Sequence, residues 1–186
     1  MIGYAFCGSF CTHEESFKSL VSLVRSGREV IPIMSECAYS TDTRFHGAAE
    51  FARRVEELCG RKIIHTIAEA EPLGPKEPLD ALIIAPCTGN TLAKLASGIT
   101  DTAVTMAAKA HLRRDRPLLI ALASNDAMSH NLSNLGTLLM RKSVYFVPMK
   151  QDDPEGKPHS LVADMSLISD SLELMERKIQ MRPLFR

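Results

Sequence analysis

Residues 79–85 read Leu-Asp-Ala-Leu-Ile-Ile-Ala, apolar at every position but one, and the run ends at Pro86. A strand with one wet face alternates apolar and polar residues. A near-continuous apolar run this short fits instead a parallel strand covered on both faces by helices. Parallel neighbours need long crossovers, so the run demands helical segments on either side of it.

The rest of the chain supplies them. Ile2 to Phe6 reads as a strand that ends at Gly8-Ser9. Thr12-x-x-Glu15 then has the form of a helix capping box, Phe17, Leu20, Val21 and Val24 recur at helical spacing, and Gly27 supplies the stop. Val30 to Met34 is a short β-branched strand; Ala48, Phe51, Val55 and Leu58 form a helical stripe closed by Gly60; and Lys62 to Ile67 reads as a third strand. Three prolines and a glycine make Glu69 to Pro78 a loop. Helices are predicted over Asn90 to Ser97, Asp101 to Leu112 and Met128 to Arg141, and strands over Leu118 to Ala123 and Val144 to Val147. In the tail, Met165, Ile168, Leu172 and Met175 mark a helix within Ala163 to Met181, and Arg182 to Arg186 wraps a surface or a neighbouring subunit. Alternating strands and helices predict an α/β fold: a Rossmann-like, doubly wound parallel sheet in three α/β/α layers. Residues 1–186 form a single domain, with 164–186 its C-terminal helix and tail.

Lys plus Arg (22) balances Asp plus Glu (22), so no general field draws the chain to nucleic acid or an anionic membrane. No apolar run approaches a bilayer span and the N-terminus lacks a signal-type core, which predicts a cytoplasmic protein. The cysteines at 7, 11, 37, 59 and 87 are odd in number and form no CxxC pair. They read as reduced, mostly buried thiols, with neither a disulfide framework nor a metal site.

In an open parallel sheet, ligands bind beyond the carboxyl ends of the strands, where helix N-termini favour anions. Four loops meet that condition: Cys7 to Thr12, Ser35 to Thr43, Pro86 to Thr91 and Ala123 to Met128. The first lacks both GxGxxG and the lysine of a GxxxxGK[ST] loop, which disfavours ordinary NAD and ATP modes. Gly8-Ser9 and Ser35 offer amides and hydroxyls to a phosphate, unless they are only turn and cap residues. The third loop, Pro86-Cys87-Thr88-Gly89-Asn90-Thr91, places small polar groups where the central strand meets a helix, and suits a flat polar ring better than a metal. Asp101 reads as a helix cap, and His46 and His111 as helix-surface residues.

The stretch from Ala85 to Asp101, APCTGNTLAKLASGITD, resembles the central motif of the flavoprotein superfamily that contains phosphopantothenoylcysteine decarboxylases, lantibiotic cysteine decarboxylases and flavin prenyltransferases. Within it, Glu71 to Lys76, Thr105 to Arg113 and Ser124 to Met128 resemble the B-subunit family of dipicolinate synthases. That resemblance implies a flavin mononucleotide (FMN) site formed by Gly8, Ser9, Phe10, Ser35, Pro86, Cys87, Thr88, Gly89, Asn90, Thr91, Ala123 and Ser124. It also implies trimer-based homo-oligomers, a small dicarboxylate substrate, and a partner of the A-subunit type that brings NADP, in the mother-cell cytoplasm of a spore former. The departures from the decarboxylases are specific. No histidine occurs in Pro72 to Pro78, their PxMN motif is reduced to Leu122-Ala123-Ser124-Asn125, and Ala123 stands where the prenyltransferases carry an arginine.

Two residues stand out for chemistry. Lys76 could clamp a substrate carboxylate or be a solvated loop lysine. Asn125 could bond a ring or carboxylate, or cap the helix near Met128. His159 and Lys157, in the loop Gln151 to Ser160, fit a lid, and Cys87 lies beside the expected flavin. The expected function is oxidation of a dihydrodipicolinate-type precursor. The alternatives are a stand-alone flavin-dependent cysteinyl decarboxylase and a non-catalytic scaffold protein.

Overall fold

The computed structural model describes residues 1–74 and 78–186. A seven-stranded sheet runs through it, formed by β1 (Ile2–Phe6), β2 (Val30–Met34), β3 (Ala81–Cys87), β4 (Leu118–Ser124), β5 (Val144–Phe146), β6 (Met149–Lys150) and β7 (Leu161–Ala163). Strands β2, β1, β3, β4 and β5 are parallel and adjacent in that order. This is the 2-1-3-4-5 order of one common doubly wound class, whose winding reverses between β1 and β3. Every residue of β1 to β4 is buried, as the unbroken apolar run at β3 requires of strands covered on both faces.

Among the described residues the helices are α1 (His13–Arg25), α2 (Glu36–Ser40), α3 (Ala48–Cys59), α4 (Ile67–Ala70), α5 (Gly89–Ser97), α6 (Ala103–Leu112), α7 (Leu132–Leu139) and α8 (Ile168–Glu176). α1 buries Ser16, Ser19, Leu20 and Leu23, one face at three-to-four spacing, and turns out at Gly27 with φ +86°. α3 buries Ala48, Phe51, Ala52 and Val55 and ends at a left-handed Gly60, as its stripe predicts. A buried hydroxyl relay fixes α1 to the sheet. Tyr4 Oη lies 2.9 Å from the Ser16 carbonyl and 2.8 Å from Ser16 Oγ, which donates to the Ala85 carbonyl at 2.6 Å. Burial raises the Tyr4 pKa, so this phenol stays protonated and bonded.

The structure departs from the sequence reading in several places. Lys62 to Ile67 contributes only a single bridge, Ile33 to Ile64, because Thr66 and Glu69 form a capping box that draws the following residues into α4. β3 starts later than predicted and runs through a cis Ala85-Pro86 bond to Cys87. α7 begins at Leu132 rather than near Met128, since residues 125–131 turn to bond Asp126. The predicted tail helix is present as a 3-10 turn from Met165 and α8, which stops at Glu176 rather than Met181 with Lys178 left-handed at φ +62°; the strand ahead of it, β7, was not predicted. β7 pairs antiparallel with β4 at Ala123–Val162, and β6 antiparallel with β7 at Lys150–Val162. The last residues lie along their own chain: Met149 N donates to Leu184 O at 2.8 Å and Arg186 N to Met149 O at 3.0 Å.

Candidate functional site

The reversal between β1 and β3 directs the search to the carboxyl ends of the strands. Beyond Phe6 the chain folds tightly on itself. Ser9 N donates to Cys7 O at 2.9 Å, and both Thr12 N and Thr12 Oγ1 donate to Ser9 O, at 3.1 and 2.9 Å. Thr12 therefore makes no capping box; its ψ of 1° turns the hydroxyl back toward Ser9 instead of forward. Phe10 packs over His13, with ring centroids 5.1 Å apart.

The second tip lies against the first. Ser35 N donates to Phe6 O at 2.9 Å, and Ser35 Oγ caps α2 by accepting from Ala38 N at 3.2 Å, which leaves its own proton to donate elsewhere. A Cβ on Gly8 would stand 3.3 Å from Cys37 Sγ, so these two loops touch. The third tip joins through Cys7, whose amide donates to Pro86 O at 3.2 Å and whose sulfur accepts from Thr91 Oγ1 at 3.3 Å. Thr88 caps α5 by accepting from Thr91 N at 3.2 Å. The Gly89 and Asn90 amides, first in that helix, have no intrahelical acceptor by position.

The fourth tip closes on the third at Gly89. Its missing Cβ would stand 2.5 Å from Ser124 Oγ, 2.7 Å from Asn131 Nδ2 and 2.7 Å from Asp126 Oδ1. Ser124 Oγ donates to Asp126 Oδ1, and Asn131 Nδ2 donates to Asp126 Oδ2 at 3.0 Å. The Ser124 hydroxyl and then the Asn131 amide hold the Asp126 carboxyl below its usual range, so it is ionised. Neither Asp126 nor Asn131 was singled out by sequence reasoning; their five-residue spacing carries no known signature.

A cleft of roughly 900 Å³ opens beside these tips. Ser9, Ala123, Ser124 and Asn125 form its inner end; α1 forms one wall and the β6–β7 hairpin another. Ser35, Pro86, Cys87, Thr88, Gly89, Asn90 and Thr91 stand at the neighbouring tips, outside that wall. Asn125 is exposed and does not cap α7, whose first flanking residue is Asn131. Lys76 lies outside the described residues.

Several surrounding expectations change. Asp101 pairs with Lys94 at 2.9 Å, while Thr102 caps α6 by accepting from Thr105 N at 3.1 Å. His111 is buried, with Nε2 donating to Pro117 O at 2.8 Å. His46 is half-buried and stacks on His13 and Phe51 at 5.0 and 4.5 Å. His13 Nε2 lies 2.7 Å from Cys7 O and so carries the proton there, and burial lowers its pKa to about 4. Of the five thiols only Cys7 and Cys87 are buried; Cys11 and Cys37 are exposed. Burial pushes Cys7 up to about 11 and Cys87 well above the ordinary thiol range, which removes the reactive form of both. Residues 151–160 are tied down: Met128 N donates to His159 O at 2.9 Å, and Asp152 binds Ser160 Oγ at 2.7 Å and Lys157 Nζ at 3.0 Å.

The described donor set suits an anionic, ring-bearing cofactor. It combines hydroxyls at Ser9 and Ser35 for the anionic group with first-turn amides on α5, beside the ionised Asp126, for the ring, and adjoining space at the upper end of the ~300–1,000 Å³ of small-molecule sites. Among the described residues no three His, Cys, Asp or Glu side chains stand close enough to hold a metal ion, and no helix is long and apolar enough to cross a membrane.

Comparison with known proteins agrees with this arrangement. Residues 2–170 match the family described as Flavoprotein. The chain is 45% identical over 181 residues to the B subunit of dipicolinate synthase from Bacillus subtilis (strain 168), covering 96% of this chain and 90% of that one. The crystal structure of the corresponding dipicolinate synthase B subunit from Bacillus halodurans superposes with a TM-score of 0.91 at 37% identity, covering 100% of this chain and 95% of that one. The FMN-dependent cysteine decarboxylase SpaF shares the fold, with a TM-score of 0.70 at 22% identity over 95% of both chains. A sheet wound in the 2-1-3-4-5 order, joined strand tips and a match over nearly the whole length lead to one assignment: the chain belongs to the flavoprotein family.

Proposed function

We propose that the chain is the FMN-holding B-type component of a dipicolinate-forming oxidoreductase and acts on a dihydrodipicolinate-type precursor together with an A-type partner that brings NADP. The observation that carries this reading is the continuity of the four strand tips, linked in turn through Gly8 and Cys37, Cys7 and Thr91, and Gly89 and Ser124. The 45% identity to a dipicolinate synthase component supports the substrate class.

The ionised Asp126 beside Gly89 sets the polarity of the site. A phosphate is repelled from that end and belongs with the Gly8, Ser9 and Ser35 group, which leaves the ring toward Thr88, Asn90, Ala123 and Asn125. When bound, FMN supplies a two-electron acceptor. The chain's own residues then orient the substrate. Asn125, exposed at the inner end of the cleft, presents an amide that both donates and accepts, suited to a ring nitrogen or carboxylate. Aromatisation of the precursor releases a hydride, for which bound FMN would be the acceptor, and a proton, which would pass to solvent, and Lys76 is proposed to neutralise one of its carboxylates.

Purified protein is expected to take up FMN and turn yellow, and to be required with the A-type partner for dipicolinate formation. Full activity of that partner alone would remove any catalytic part for this chain.

A further inference from the structure

The far wall of the cleft carries charge that the strand tips do not use. Lys18 and Glu15 line it from α1, and Lys150 and Lys157 from β6 and the loop after it. One of the three acidic groups there is ion-paired. Asp152 holds Lys157 and Ser160, and Asp164 accepts from Ser166 N and Oγ at 3.1 and 2.5 Å. Among the described residues, Lys18 and Lys150 have no carboxylate within ion-pair distance, and Glu15 has no cation within it. Over the whole lining Lys18, Lys150 and Lys157 balance Glu15, Asp152 and Asp164, and Lys18 and Lys150 are the two ammonium groups there that stand outside an ion pair.

Strand register explains how Lys150 reaches the tips. Ala123 pairs with Val162, and Val162 with Lys150, so the three stand in one row across β4, β7 and β6. Paired residues point to the same face, and all three line the cleft. The Cα of Lys150 is therefore roughly 10 Å from that of Ala123, two strand spacings, a gap closed by a lysine stem and a ligand carboxylate. Lys18 faces the same space from α1, which Ser19 Oγ fixes in place by donating to Met165 O at 2.6 Å.

We infer that Lys18 and Lys150 are substrate-binding residues that hold the two carboxylates of a small ring dicarboxylate, one from each side of the cleft. This deepens the function proposed above and rests on it for the identity of the ligand. The pair also explains selectivity: one ammonium suffices for a monocarboxylate, whereas a dicarboxylate engages both.

The test is calorimetric titration with dipicolinate and with picolinate, the single-carboxylate analogue, in the presence and absence of FMN. Wild type is expected to prefer dipicolinate. Lys18→Met and Lys150→Met are each expected to lose about fivefold in dipicolinate affinity, with the preference over picolinate collapsing. Lys18→Arg and Lys150→Arg are expected to retain the preference, and Glu15→Gln to strengthen binding of both ligands by removing a like charge. Failure of wild type to bind dipicolinate, or an unchanged preference in both Met variants, overturns the inference. So does a loss of FMN affinity in those variants with dipicolinate binding intact, which would give the lysines to the cofactor. Absence of FMN uptake by wild type counts against the cofactor reading alone, because the titrations without FMN still report on the lysines.

Discussion

Gly89→Ala tests whether α5 and the β4 tip are as close as the site requires. Alanine is ordinarily the better helix residue by about 1 kcal/mol, and φ at Gly89 is not positive, so local preference favours the substitution. The surroundings oppose it. The new methyl would lie 2.5 Å from Ser124 Oγ and 2.7 Å from both Asn131 Nδ2 and Asp126 Oδ1, three short side chains bonded to one another. Making room costs about 1–3 kcal/mol of overpacking, plus about 1.5–3 kcal/mol for a bond to the charged Asp126. Set against the helix gain, the net loss is about 1.5–5 kcal/mol, or a fall in Tm of roughly 3–20 °C for a chain of this size. Calorimetry and urea unfolding measure it, and FMN uptake is expected to fall in parallel. Adding Ser124→Ala removes the nearest oxygen and is expected to recover about 1 kcal/mol relative to the sum of the single changes. A Gly89→Ala protein as stable as wild type that binds FMN unchanged would refute the close approach and the tip geometry built on it.

Three other residues or residue groups give separate expectations. His13 is held neutral, its pKa lowered by burial from 6.5 to about 4, so between those values the unfolded chain binds a proton that the folded chain does not. Stability is therefore whole above pH 6.5 and declines as pH falls toward 4, by roughly 3 kcal/mol from this residue; a His13→Gln variant with an unchanged slope of unfolding free energy against pH would contradict this. Asn125→Ala is expected to leave Tm within about 1–2 °C of wild type, since the side chain is exposed and caps no helix, while lowering dipicolinate formation with the partner; a large loss of stability would reassign Asn125 to structure. Alkylation at pH 8 followed by mass spectrometry is expected to label Cys11 and Cys37 quickly and to spare Cys7 and Cys87, whose burial raises their pKa values; early modification of Cys87 would count against the packing of the β3 end.

Elements with a long, regular pattern were legible in the sequence. The apolar run at β3, the stripe of α3 and the glycine stops of α1 and α3 were read as they fold, because periodicity and chain reversal are local properties. The buried face of α1, by contrast, is Ser16, Ser19, Leu20 and Leu23, so of the predicted Phe17, Leu20, Val21 and Val24 only Leu20 is fully buried. The two Thr-x-x-Glu sequences show the limit. Thr66 to Glu69 forms a capping box because Thr66 is extended, with ψ 158°, whereas Thr12 is the last residue of a 3-10 turn, with ψ 1°, and bonds backward. Nothing within four residues distinguishes them; the preceding chain does. Strands of two and three residues have no period to detect; β5 was read from its place in the strand–helix alternation, but β6 and β7 fall outside that alternation, which hid them and with them the wall that carries Lys150. At the site, sequence reasoning found the four loops that meet at the strand ends. It missed Asp126 and Asn131, whose proximity to Gly89 arises only when α5 packs over β4, and it put His46 and His111 on helix surfaces although neighbouring segments cover both.

Residues 184–186 act on a strand far from them in sequence. Residue 149 is gripped by main-chain bonds from 184 and 186, so the outermost strand of the hairpin has no bare edge there. Removing residues 184–186 would expose that edge and loosen the ribbon on which Lys150 rides.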